Sequence, residues 1–185
     1  MQKLIDYIEQ FVKLDRESIE AIESLAEIET FKKNQLILEQ GQRCNKIWFI
    51  KKGMIRKYHL HNGEEVTTWI HTENETFTSL QSYAQNIPAE EYLQASEDSE
   101  LISITKDNSE KLAEFPKIVA FVNAMMGREF SNIDKHTKAL NQRDAKGKYE
   151  YLREIAPEIL KRAKIGHIAS IIGVSRETVS RIRKG

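Results

Sequence analysis

The sequence predicts an α+β chain in three parts: a jelly-roll β domain behind two short helices, one long helix, and a terminal helix-turn-helix. Three observations carry this. Short β-rich runs punctuated by glycine and asparagine fill the stretch from Glu27 to about 105. An apolar track at seven-residue spacing follows Pro116. The last twenty residues before Gly185, IGHIASIIGVSRETVSRIRK, contain two amphipathic helical segments joined at a glycine.

In chain order, residues 1–13 place Leu4, Ile5, Ile8, Phe11 and Val12 on one face of a first helix. Asp15 is positioned to cap a second helix carrying Ile19, Ile22 and Leu25. The period then changes. The runs LIL (36–38), KIWFIKKG (46–53), MIRKYHL (54–60) and EVTTWIH (65–71) read as strands. Gly41, Gly53 and Asn62-Gly63 separate them, and Asn-Gly between two such runs is a hairpin signature. With further strands at Tyr92–Ala95 and 101–105, six to eight strands are expected, as a sandwich or small barrel.

Pro116 suits the first turn of a long helix. Val119, Met126, Ile133 and Leu140 recur every seven residues, with Val122 at a d-type position, so this helix is read as a dimer seam. Glu129 and His136 interrupt the d positions, and His136 is expected to be solvated. Phe121, Met125 and Phe130 are expected to pack on the β domain. Residues 141–164 should hold one helix ending before Pro157. The implied divisions are 1–115, 116–140 and 141–185.

In the terminal segment, Ile165, Ile168, Ala169 and Ile172 form the inner face of a short helix. Gly173 sits where a left-handed residue turns the chain, and Ser175 where an N-cap belongs. In the helix that follows, Val179 and Ile182 face inward, while Arg176, Glu177, Ser180 and Arg181 share the outer face. Such a second helix can enter a DNA major groove. Charge agrees. From 141 to 185 there are 11 Lys and Arg against 5 Asp and Glu, whereas the remainder carries 17 against 23. Only the C-terminal part is suited to a polyanion.

The string GVSRETVSRIRK resembles the recognition element of the Crp/Fnr family of bacterial transcription regulators. The spacing of Ala169, Gly173 and Val179 is that of the family's motif. The resemblance implies a (winged) helix-turn-helix domain in which Arg176, Glu177 and Arg181 read base edges. Arginine can donate two hydrogen bonds to guanine, and glutamate can accept from cytosine N4. Ser175, Thr178, Ser180, Lys184 and His167 complete the expected DNA-binding set. Lys146, Lys148, Arg162 and Lys164 are lesser candidates for phosphate contacts. Only Gly185 follows the recognition helix, so the segment that commonly packs behind it in the family is expected to be absent or very short.

Gly41, the run 47–50, Gly53 and Gly63 are similar to the turns and strands of a cyclic-nucleotide-binding β-roll, a double-stranded β-helix. The resemblance implies an effector domain over 1–115, a homodimer, duplex DNA as ligand, and RNA polymerase as a further partner. The phosphate-binding stretch departs from the family. It reads FTSLQSYAQNIPAEEYLQA: Thr78 and Ser79 follow Phe77, and Glu90 and Glu91 lie where the family has its arginine. Two carboxylates there would repel a cyclic phosphate. A small effector other than cyclic AMP, or none, is therefore expected; its binding residues are not assigned, and no cofactor or metal is expected.

A rival reading comes from Gly53, His59, His61 and Glu65, whose spacing is similar to the first metal motif of cupins, with His71 as a further ligand. This would make a metal-dependent enzyme. The Asn62-Gly63 turn places His61 at an exposed hairpin tip, and Thr72 stands where cupins have glycine, so a non-enzymatic regulator is the preferred reading. A constitutive DNA binder with a vestigial sensor is the other alternative. The single Cys44 excludes an internal disulfide and a four-cysteine cluster. No apolar run reaches membrane-spanning length and the N-terminus is amphipathic, so a cytoplasmic protein is expected.

Overall fold

A computed structural model describes residues 1–184. It opens with helices α1 (Gln2–Ile8) and α2 (Arg16–Leu25). The Asp15 carboxylate caps α2 by accepting from the Ser18 amide at 2.9 Å. The first helix is shorter than the predicted 1–13. Its end tightens into i→i+3 bonds, Gln10 N to Tyr7 O and Phe11 N to Ile8 O, which turn Phe11 onto the rings of Tyr7 and Phe121.

Eight strands follow: β1 (Glu27–Phe31), β2 (Leu36–Leu38), β3 (Lys46–Lys52), β4 (Ile55–His61), β5 (Glu64–His71), β6 (Thr76–Phe77), β7 (Tyr92–Ala95) and β8 (Ser99–Thr105). They form two antiparallel four-stranded sheets, ordered β1-β8-β3-β6 and β2-β7-β4-β5. Asn62 (φ 51°) and Gly63 (φ 82°) both take left-handed backbone, which matches the twist of the β4–β5 hairpin. Gly53 is required on two counts. Its φ is 108°, and a Cβ there would lie 2.2 Å from Ser99 Oγ.

Three apolar clusters hold the chain. The roll interior joins Trp48, Ile50, Ile55, Phe77, Leu93 and Leu101. A second cluster packs α1 and α2 with Phe49, Ile102, Ile118 and Phe121 on the outside of the first sheet. The third is shared: Met54 and Ile70 of the roll pack with Leu152, Ile159, Ile168, Ile172 and Val179 of the C-terminal head. Head and roll are thus joined through one apolar core.

Between β6 and β7 lies α3 (Leu80–Gln85), and after β8 come α4 (Lys106–Leu112) and the long α5 (Pro116–Gln142). The head comprises α6 (Ala145–Ile155), α7 (Pro157–Arg162), α8 (Ile165–Ile172) and α9 (Arg176–Lys184). Asp144 caps α6 through the Gly147 amide at 2.8 Å. The helix expected to end before Pro157 does so, at Ile155, and Pro157 begins a second, α7, that was not expected.

The apolar stripe of α5 divides. Val119, Val122 and Ile133 are exposed, and so is Phe130 at 63%, which was expected to pack on the roll. Spacing decides this, since Phe130 follows Met126 by four residues and shares its face. Leu140 leaves the stripe and packs in the shared core. His136 leaves it too. Expected in solvent, its ring is half-buried between Trp69 (4.7 Å) and Tyr151 (5.7 Å), and burial holds its pKa below the ordinary value.

Candidate nucleic-acid interface

The helix-turn-helix is built from α8 and α9. Gly173 ends α8 in left-handed backbone (φ 66°, ψ 43°), and Val174 N closes the turn on Ala169 O at 3.0 Å. Ser175 caps α9, its Oγ accepting from the Thr178 amide at 3.2 Å. Val179 is fully buried against α8 and α6, which fixes the rotation of α9 about its axis. With that face turned in, Arg176, Glu177, Arg181 and Lys184 are exposed, and Thr178 and Ser180 are half-buried at its edge.

The charges are placed to act. At the start of α9, backbone amide hydrogen bonding and Ser175 hold the Glu177 carboxyl below its ordinary pKa, so it is an acceptor at neutral pH. Gly166 lies under Arg176: a Cβ there would be 2.7 Å from Arg176 Nε, so the glycine lets the guanidinium lie over the first turn of α8. Arg183, which the sequence reading did not single out, donates from Nη2 to Leu160 O at 2.5 Å and ties α9 to α7.

Two residues expected at the DNA face are engaged elsewhere. His167 faces the roll, where Arg56 Nη1 donates to its Nε2 at 3.1 Å. Arginine has only donors, so this imidazole nitrogen is an acceptor and the ring is neutral. Burial, then the charges of Arg56 and Lys164, push its pKa down to about 4. Arg162, expected to touch phosphate, grips Glu73 with both terminal nitrogens (2.7 and 2.9 Å) and also bonds Glu97. Burial opposes ionisation of Glu73, but bonds from Arg162 and the Gly53 amide outweigh it and bring its pKa down to about 2. Ser170 Oγ donates to Thr67 O at 3.0 Å beside this grip. Nothing in the sequence joins Arg162 to Glu73, 89 residues away, or His167 to Arg56, 111 away. Among the described residues, no carboxylate lies within 4 Å of the amino groups of Lys146, Lys148 and Lys164.

The stretch that departs from phosphate binding forms α3 and its approach. Thr78 Oγ1 donates to Lys46 O at 2.9 Å, and Ser79 is buried at the helix start. Glu90 is exposed, whereas Glu91, expected as a bare repelling charge, is paired with Lys57 at 3.2 Å. An open cavity of about 400 Å³ lies between that pair and α3. The cupin-like residues do not converge. Glu65 is bonded to Arg56 at 2.6 Å, His71 to Glu75 at 3.1 Å, and His61 is exposed. Among the described residues no three His, Cys, Asp or Glu side chains are grouped to hold a metal ion.

Comparison with known proteins agrees with this geometry. The family of the cyclic nucleotide-binding domain matches residues 28–114. Residues 28–114 form a cyclic nucleotide-binding domain. The chain containing that domain also has the fold of solved Crp/Fnr regulators. It aligns with the catabolite activator protein of Thermus thermophilus at a TM-score of 0.57 and 20% identity, over 94% of this chain and 84% of that one. FixK2 of Bradyrhizobium japonicum gives 0.69 and 19%, over 86% and 83%. A Crp/Fnr-family regulator of Eubacterium rectale gives 0.64 and 17%, over 92% and 82%. An uncharacterized protein of Haemophilus influenzae is 39% identical over 54 residues, 29% of this chain. That match spans 42% of the relative's length. None of the described helices is long and apolar enough to cross a membrane.

Proposed function

We propose that this chain is a homodimeric, sequence-specific, DNA-binding transcription regulator, not an enzyme, acting in the cytoplasm. The reading rests on one observation above all. Burial of Val179 turns Arg176, Glu177 and Arg181 outward together on the second helix of a helix-turn-helix. Arg176 and Arg181 present bidentate donors for guanine, and Glu177 an acceptor for cytosine N4. Ser175 caps the helix and orients its first turn toward phosphate, with Thr178 and Ser180 at the edge and Lys184 at the far end. The exposed stripe of Val119, Val122, Phe130 and Ile133 supplies the seam between two copies.

The effector of the roll, if it takes one, is not cyclic AMP: the family's arginine is missing, and Lys57 is already paired with Glu91. The shared core of head and roll supports a protein that binds DNA without any ligand. Affinity selection from random duplex DNA, with purified protein and no added ligand, tests both statements. A two-fold symmetric site with half-sites about 10 bp apart is the expected product. An enriched site without symmetry would remove the dimer, and no enrichment would remove ligand-free binding.

A further inference from the structure

Where the head meets the roll they enclose a cavity of about 220 Å³, bounded by the β1–β2 turn, β4, β7 and the α7–α8 corner. Arg56 lines it and is only 3% exposed. Its guanidinium stacks on Tyr58 with 3.8 Å to the ring centroid, and bonds Glu65, Gln94 and His167. Its Nε is buried with no hydrogen-bond partner. We propose that this cavity is a binding site for a small anion carrying a carboxylate or phosphate group, held by Arg56, Lys33 and Lys164.

The charge balance carries the argument. Arg162, also on the wall, is matched by Glu73 and Glu97, and Arg56 by Glu65. Lys33 and Lys164 also line the cavity; the Lys33 amide donates to Asp98 Oδ1 at 2.9 Å, but neither amino group has a carboxylate within 4 Å among the described residues. Arg56, Arg162, Lys33 and Lys164 thus face Glu65, Glu73 and Glu97, so one positive charge is left over around a concave site that already contains a buried arginine. Burial first, and then the charges of Arg56 and Lys164, hold His167 neutral. The volume lies below the roughly 300–1,000 Å³ of drug-sized ligand sites, which suits a small ligand. The site is separate from the cavity at α3, and an occupant would bridge roll and head.

The test is titration of the full-length protein with inorganic phosphate and, separately, succinate. Calorimetry at pH 6, with ionic strength held constant by sodium chloride, reads the binding. Saturable heat with at least one of them is expected. A response to phosphate alone assigns a phosphoryl ligand, and one to succinate alone a carboxylate. Lys33→Gln and Lys164→Gln alter exposed side chains and should each weaken binding about three- to tenfold, the range of a partly screened charge pair. No saturable heat above the chloride control, or binding indifferent to both lysine substitutions, would each overturn the proposal. No DNA is used, so the outcome is independent of the regulator reading.

Discussion

Replacing Glu73 by Gln probes the bond between head and roll. The amide oxygen can still accept from the Gly53 amide, now 2.8 Å away, but its NH2 cannot accept from Arg162. A carboxyl moved from 4.5 to about 2 corresponds to about 3.4 kcal/mol of preference for the ionised form. The Arg162 and Glu73 side chains are 25% and 27% exposed, and Glu97 still holds the arginine, so about 1.5–2 kcal/mol is expected at pH 7 after screening. The folded pKa is depressed, so this contribution is complete above 4.5 and is lost as the pH falls toward 2. Urea denaturation of both proteins should give that difference at pH 7 and about 1 kcal/mol at pH 3.5. A difference below about 0.5 kcal/mol at pH 7, or one equal at both pH values, would refute a charge-based grip.

Two further outcomes bear on DNA and on assembly. Arg181→Ala should remove about 1–3 kcal/mol of specific binding and relax one base preference in a fluorescence-anisotropy series; an equal loss on random DNA would reduce Arg181 to a phosphate contact. The double change Phe130→Asp and Ile133→Asp removes two apolar side chains that are 63% and 56% exposed in the single chain. Each change occurs in both copies, so at about 0.9–1.8 kcal/mol for the exposed part of each of four side chains, dimerisation should weaken about 10³–10⁵-fold in sedimentation equilibrium, with circular dichroism unchanged. A dimer that survives would place the seam elsewhere.

Local rules made most of the fold legible. The Asn62-Gly63 turn, the Asp15 cap, Pro116 at a helix start and Gly173 at a helix end each depend on a few adjacent residues, and each occurs where its chemistry requires. The face of α9 was legible for the same reason: Val179 and the arginines around it are related by helical spacing alone. Phe130 and Leu140 were misplaced because a heptad track says which residues share a face but not what each part of that face meets.

Backbone preference and periodicity are local, and they set the kind and order of the elements and the residues exposed on the second helix of the motif. Tertiary structure alone decided where the head sits. It drew His167 to Arg56 and Arg162 to Glu73, took Leu140 and His136 off the proposed dimer seam, and formed a basic cavity between the two parts. These contacts join residues roughly a hundred positions apart, and the packing of Met54, Trp69 and Ile70 against the head brings them together.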